Sequence, residues 1–132
     1  MDVKNEKELA NAVKSNQNEI TIKGDLAKKT IEIKSTGKVA WLIAFGAVGV
    51  AVIVALKIPI VVAGGPTAFA SLGAIATTSA GAAVAIWGVS TTVAAISICV
   101  AGGSTAILKK LYDGYNIVSK GDGFVKLRKN KK

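Results

Sequence analysis

Hydrophobic and polar positions change their period several times along this chain. In the opening KNEKELANAVKSN, Leu9, Ala12 and Val13 recur at helical spacing among charged residues, which predicts a short amphipathic helix. Asn16 to Asn18 supply its stop. NEITIKG then alternates, with Ile20 and Ile22 on one face and Glu19, Thr21 and Lys23 on the other, and predicts a strand. KTIEIKS repeats the alternation through Ile31 and Ile33 and reads as a second strand, reached through Gly24 and Asp25.

After Lys38 the polar positions disappear. Val39 to Leu56 is an uncharged run of 18 residues, a helix of roughly 27 Å, close to the thickness of a hydrocarbon core. Pro59 and Pro66 take the chain out of regular helix beyond it. A last apolar helix is expected from about Ile86 to Tyr112, with Gly114 as its cap. YNIVSKGDGFVKLRK reads as a β-hairpin that turns at Lys120 to Gly123, with Val125 and Leu127 alternating with Lys126 and Arg128.

These elements divide the chain into five segments. Residues 1–38 form a polar helix–strand–strand flank, 39–56 a first transmembrane helix, and 57–85 a Gly/Ala/Thr-rich intervening or re-entrant segment. Residues 86–112 form a second transmembrane helix and 113–132 a basic hairpin tail. The expected fold is a membrane all-α helical hairpin of two apolar helices, or three if Ala68 to Trp87 also crosses. It carries a small α+β cap built from the N- and C-terminal flanks.

Composition supports the membrane assignment. Of the 132 residues, 51% are hydrophobic, and residues 58–108 contain no Asp, Glu, Lys or Arg. The mean hydropathy of +0.47 is high for a soluble domain. A domain this small has little interior in which to hide all-apolar helices. The polar opening lacks the form of a cleavable signal peptide, so the internal apolar segments would lead insertion.

Charge assigns the sides. The first 38 residues carry a net charge of +2 and the tail from Lys109 carries +6, which favours the cytoplasmic face for both termini of an integral membrane protein. Neither flank alone is large enough to bury a core, whereas together they make a four-stranded cap. Lys38, Trp41, Lys57, Trp87, Lys109, Lys110 and Tyr112 are the expected lipid-interface residues. Trp87 and Lys109 are placed at opposite interfaces, roughly 33 Å of helix apart.

Small residues mark the expected packing surfaces. Ala40, Ala44, Ala47, Ala51 and Ala55 line one side of the first helix. Ser90, Ala94, Ser97, Ala101 and Ser104 line one side of the last, beside a lipid-facing flank of Val89, Val93, Ile96, Val100 and Ile107. Between the two helices, Gly73, Thr77, Thr78 and Gly81 belong to a segment too small-sided to attract lipid. It is better placed inside protein or along a water path.

Candidate chemistry narrows the function classes. With no His, a lone Cys and every carboxylate confined to the flanks, no catalytic site, metal site or cofactor is expected. Gly46-Ala-Val-Gly49 and AGGSTAILKK lack the spacings of nucleotide-binding loops. Sixteen of the seventeen basic residues are Lys and aromatics are few, which suits anionic lipid headgroups better than nucleic acid. The expected partners are therefore the bilayer, its anionic headgroups and further copies of the chain. The leading expectation is a homo-oligomer forming a pore or permeation path, as a membrane-disrupting effector would. The alternative is a membrane anchor or scaffold that presents the cap as a cytosolic interaction module.

Overall fold

The first helix forms where its period predicts. The computed structural model describes residues 2–57 and 80–130. Within them, strand β1 (Asp2–Val3) leads into α1 (Glu6–Lys14). The Asn5 side chain caps α1 by accepting from the Glu8 N–H. Leu9, Ala10, Ala12 and Val13 are buried, and Asn16 ends the helix with a left-handed φ of 57°. Strand β2 (Glu19–Lys23) follows, with Ile20 and Ile22 buried as the alternation requires.

The second expected strand is a helix. Helix α2 spans Asp25–Lys34 and buries Leu26, Ala27, Thr30 and Ile33, while Ile31 is only half-buried. Those buried positions recur at i, i+1, i+4 and i+7, a helical stripe that overrides the strand preference of two β-branched isoleucines. Asp25 in the first turn and Lys34 in the last complement the helix dipole. The fourth strand of the sheet is β1 instead.

Helix α3 spans Lys38–Ala55. The chain resumes in α4 (Gly81–Gly102), in which Gly88 has non-helical dihedrals of φ 84° and ψ 166°. Only glycine adopts that conformation without strain, so α4 is two helical pieces meeting at Gly88. The expected single helix over 86–112 is also interrupted later. Gly103 takes a left-handed φ of 78°, its N–H donates to the Val100 carbonyl and the Ser104 N–H donates to the Cys99 carbonyl. This is a Schellman-type stop. Helix α5 (Ala106–Gly114) starts after it and runs directly into β3 (Tyr115–Gly121), which pairs with β4 (Phe124–Lys129) as the expected hairpin.

The described residues thus form five helices, two of them long and apolar, and a mixed four-stranded sheet. The strand order is β1-β2-β4-β3, with β1 parallel to β2 and the other pairs antiparallel. One face of the sheet, through Ile20, Ile22, Val125 and Leu127, is buried. The other is laced by ion pairs of Lys23 with Asp2 and of Lys126 and Arg128 with Glu19. Lys126 and then Arg128 hold the Glu19 carboxyl below its ordinary range.

Helices α1, α2 and α5 each touch both the sheet and α4, and α3 packs on α4. The second piece of α4 is therefore a core helix. Thr91, Thr92, Ala94, Ala95, Ile96, Ile98, Cys99 and Gly102 are all buried, covering more than one side of it. The α/β unit, called the head below, hides this apolar segment, which corrects the expectation that so small a domain could not.

Candidate functional site

Helix α3 has two unlike faces. Trp41, Ala44, Val48, Ala51, Val52 and Ala55 are buried, and the small alanines among them allow close packing. Ala40 and Ala47 of the expected seam are half-buried. On the opposite side Val39 is 74% exposed, Ile53 60%, Leu42 56%, Val50 55% and Ile43 53%, and Val54 and Leu56 are exposed as well. Lys38 and Lys57, both exposed, stand at its two ends. Scattered surface apolar residues need no explanation, but a whole helix face of them does.

Aromatic side chains tie the start of α3 to the head. Trp41 is 1% exposed and stacks on Tyr112 of α5 with ring centroids 3.9 Å apart, and on Phe45 at 5.1 Å. Trp87 approaches Trp41 at 6.1 Å in a tilted arrangement. The polar atoms of this cluster converge on Thr36. Trp87 Nε1 donates to Thr36 Oγ1 at 2.7 Å, Tyr112 OH donates to the Thr36 carbonyl at 2.6 Å, and Thr36 Oγ1 donates to the Glu32 carbonyl.

Two residues earlier, Lys34 Nζ donates to the carbonyls of Leu111, Tyr112 and Tyr115, at 2.8, 3.0 and 2.5 Å. It uses all its protons on the end of α5, where a cation suits the helix dipole. Burial pushes the Lys34 ammonium down to about 8, opposed by the nearby Asp113 carboxylate.

These positions correct the expected arrangement at the interfaces. Trp87 and Tyr112 do not mark opposite ends of one helix, because the break at Gly88 and the stop at Gly103 fold the chain so that both meet Trp41. Lys109 is exposed, and Lys110 hydrogen-bonds Asn16. In the expected serine–alanine row Ala94 is buried and Ser97 half-buried, while Ser90, Ala101 and Ser104 are exposed. The supposed lipid flank divides similarly: Val89 is exposed, Val93 and Val100 are half-buried, and Ile96 and Ile107 are buried. Both rows assume one uninterrupted helix, and the head wraps the second piece of α4 from several sides. Gly81 is exposed at the start of α4, whereas Gly73, Thr77, Thr78 and most of the 57–85 segment lie outside the described residues.

Thr36, Lys34 and Gly88 belong to this candidate site, and the pattern of the sequence does not single them out. Only Gly88, as a glycine inside an apolar helix, carried a readable signal. Among the described residues no three His, Cys, Asp or Glu side chains gather as a metal site would require. Compared with protein families, with curated proteins and with solved structures, the chain matches none.

Proposed function

We propose that this protein is a membrane anchor that holds its α/β head at a bilayer surface as an interaction module. The observation that carries the reading is the outer face of α3, where seven large apolar side chains from Val39 to Leu56 stand exposed. Covering them with hydrocarbon is favourable by on the order of 5–10 kcal/mol. An 18-residue helix is about 27 Å long, near the thickness of that hydrocarbon, and Lys38 and Lys57 suit the two headgroup layers. The first strand and the last share one sheet, which supports a reading with both flanks on one side of the membrane. The basic tail favours the cytoplasmic side.

Flotation tests this reading. Purified protein mixed with phospholipid vesicles is expected to float with them and to stay bound in high salt and at alkaline pH. Recovery as a lipid-free monomer would overturn it.

A second reading, self-association around a permeation path, draws support from the exposed side of α4. There Gly81, Ala82 and Ala85, beside the larger exposed Ile86 and Val89, offer small residues on which inserted neighbours pack closely. Its path-lining candidates remain Gly73, Thr77 and Thr78. Release of a trapped dye from vesicles at high protein density separates a pore from a silent anchor.

A further inference from the structure

The two long apolar helices satisfy the same length and hydropathy criteria for a membrane span, but their surroundings differ. Along α3 the outward side chains are large, apolar and uncovered. Helix α4 packs against α1, α2, α3 and α5, and past the exposed Val89 no large apolar side chain up to Gly102 is exposed. Its helical run from Val89 to Gly102 is 14 residues, about 21 Å, short of the roughly 30 Å that a hydrocarbon core requires.

The break coincides with a belt of amphipathic groups. Trp87 immediately precedes Gly88, and its indole N–H reaches Thr36, the residue that also accepts from Tyr112. Trp41 lies among these rings with Lys38 exposed one turn earlier. Trp41 and Trp87 are buried, so the cluster marks the place where the base of α3 is closed against the head, with the uncovered apolar face beginning beside it. The Gly88 carbonyl accepts from Thr92 Oγ1 at 2.8 Å, so the discontinuity leaves this group satisfied.

From these observations we infer that the bilayer boundary lies at the Trp41–Trp87–Tyr112 cluster. Helix α3 lies in hydrocarbon, Gly88 stands at its boundary, and residues 89–102 are the core of the head and not a second span. The inference rests on the membrane reading above and sharpens it. Moving residues 89–102 into lipid would gain little, because past Val89 their large apolar side chains are already covered. It would also strip α1 and α2 of their cover, leaving Leu9, Val13 and Ile33 to face water.

Nitroxide depth measurements on the full chain in vesicles of mixed zwitterionic and anionic phospholipid test the inference. A Cys99→Ala background carries one new cysteine, Val50→Cys on the outer face of α3 or Ser90→Cys, exposed two residues past Gly88 and near the middle of α4 as a whole. Ala101→Cys, also exposed, reads the far end of the second piece. The label at 50 should collide preferentially with oxygen, and the labels at 90 and 101 should lose that preference in favour of a water-soluble nickel chelate. Oxygen preference at both 50 and 90 overturns the boundary while leaving the membrane reading intact. Chelate preference at all three, position 50 included, overturns both.

Discussion

The Tyr112 ring lies flat against the Trp41 indole, 3.9 Å between centroids and 4° from parallel, and its hydroxyl donates to the Thr36 carbonyl at 2.6 Å. One side chain of α5 thereby joins the first turn of the exposed apolar helix to the segment that connects it with α2. The head does not merely trail from α3; it grips the helix at its base.

Truncating Tyr112 should loosen that grip in two separable steps. Tyr112→Phe keeps the stack and removes a hydrogen bond worth about 1 kcal/mol. Tyr112→Ala removes both and should cost about 2–4 kcal/mol. Urea unfolding followed by tryptophan fluorescence measures the difference, and Tyr112→Ala alone should shift the native emission to the red as water reaches Trp41.

The turn between α4 and α5 offers a steric prediction. A Cβ on Gly102 would stand 2.5 Å from Ile107 Cγ1 and 3.2 Å from its Cβ, too close for the branched side chain to evade. Gly102→Ala should therefore destabilise by about 1–3 kcal/mol. Ile107→Ala is costly by itself, yet combined with Gly102→Ala it should cost less than the two single changes together. A double-mutant cycle reads that coupling. At Gly88 the added Cβ meets nothing within 4 Å, so Gly88→Ala acts through its φ of 84° alone, at about 1–3 kcal/mol.

These glycines also show what was legible in the sequence. Helix α1, strand β2 and the Asp122-Gly123 hairpin depend on local period and turn chemistry, and they form where the pattern puts them. In α2 the alternation of Ile31 and Ile33 predicts a strand, while the longer stripe through Leu26, Thr30 and Ile33 decides the outcome. The stop at Gly102-Gly103 is written in the chain, but it sits inside an apolar run whose pattern by itself predicts one uninterrupted helix. Lys34 is a different case: its three acceptors lie 77, 78 and 81 residues away, and no local signal brings them together.

Lys34 should make stability depend on pH in a defined window. Its ammonium, ordinarily at 10.5, is held at about 8 in the folded head, so between these values the unfolded chain binds more protons. Stability therefore rises as pH increases from about 8 towards 10. Tyr115, whose hydroxyl is pushed up by burial, has the opposite effect above its ordinary 10.0, so the rise should flatten there. Urea midpoints across this range should show the slope in the native chain and lose it in Lys34→Met, which keeps the side-chain length without the charge.

A charge at the middle of α3 distinguishes a lipid-facing helix from an ordinary surface. Val50 is 55% exposed, so Val50→Lys touches nothing on which the fold depends and should change the stability of the detergent-solubilised head by no more than about 0.5 kcal/mol. In a bilayer the same lysine stands near the centre of an 18-residue span, where it costs about 2.5–3.5 kcal/mol. Vesicle binding should fall by about 60- to 300-fold, each 1.4 kcal/mol being a factor of ten. Lys57→Glu, at the end of the helix, should weaken binding only slightly, because a carboxylate there lies among headgroups and not in hydrocarbon. Equal loss from both substitutions would indicate that charge, and not depth, governs attachment, and α3 would then lie along the surface.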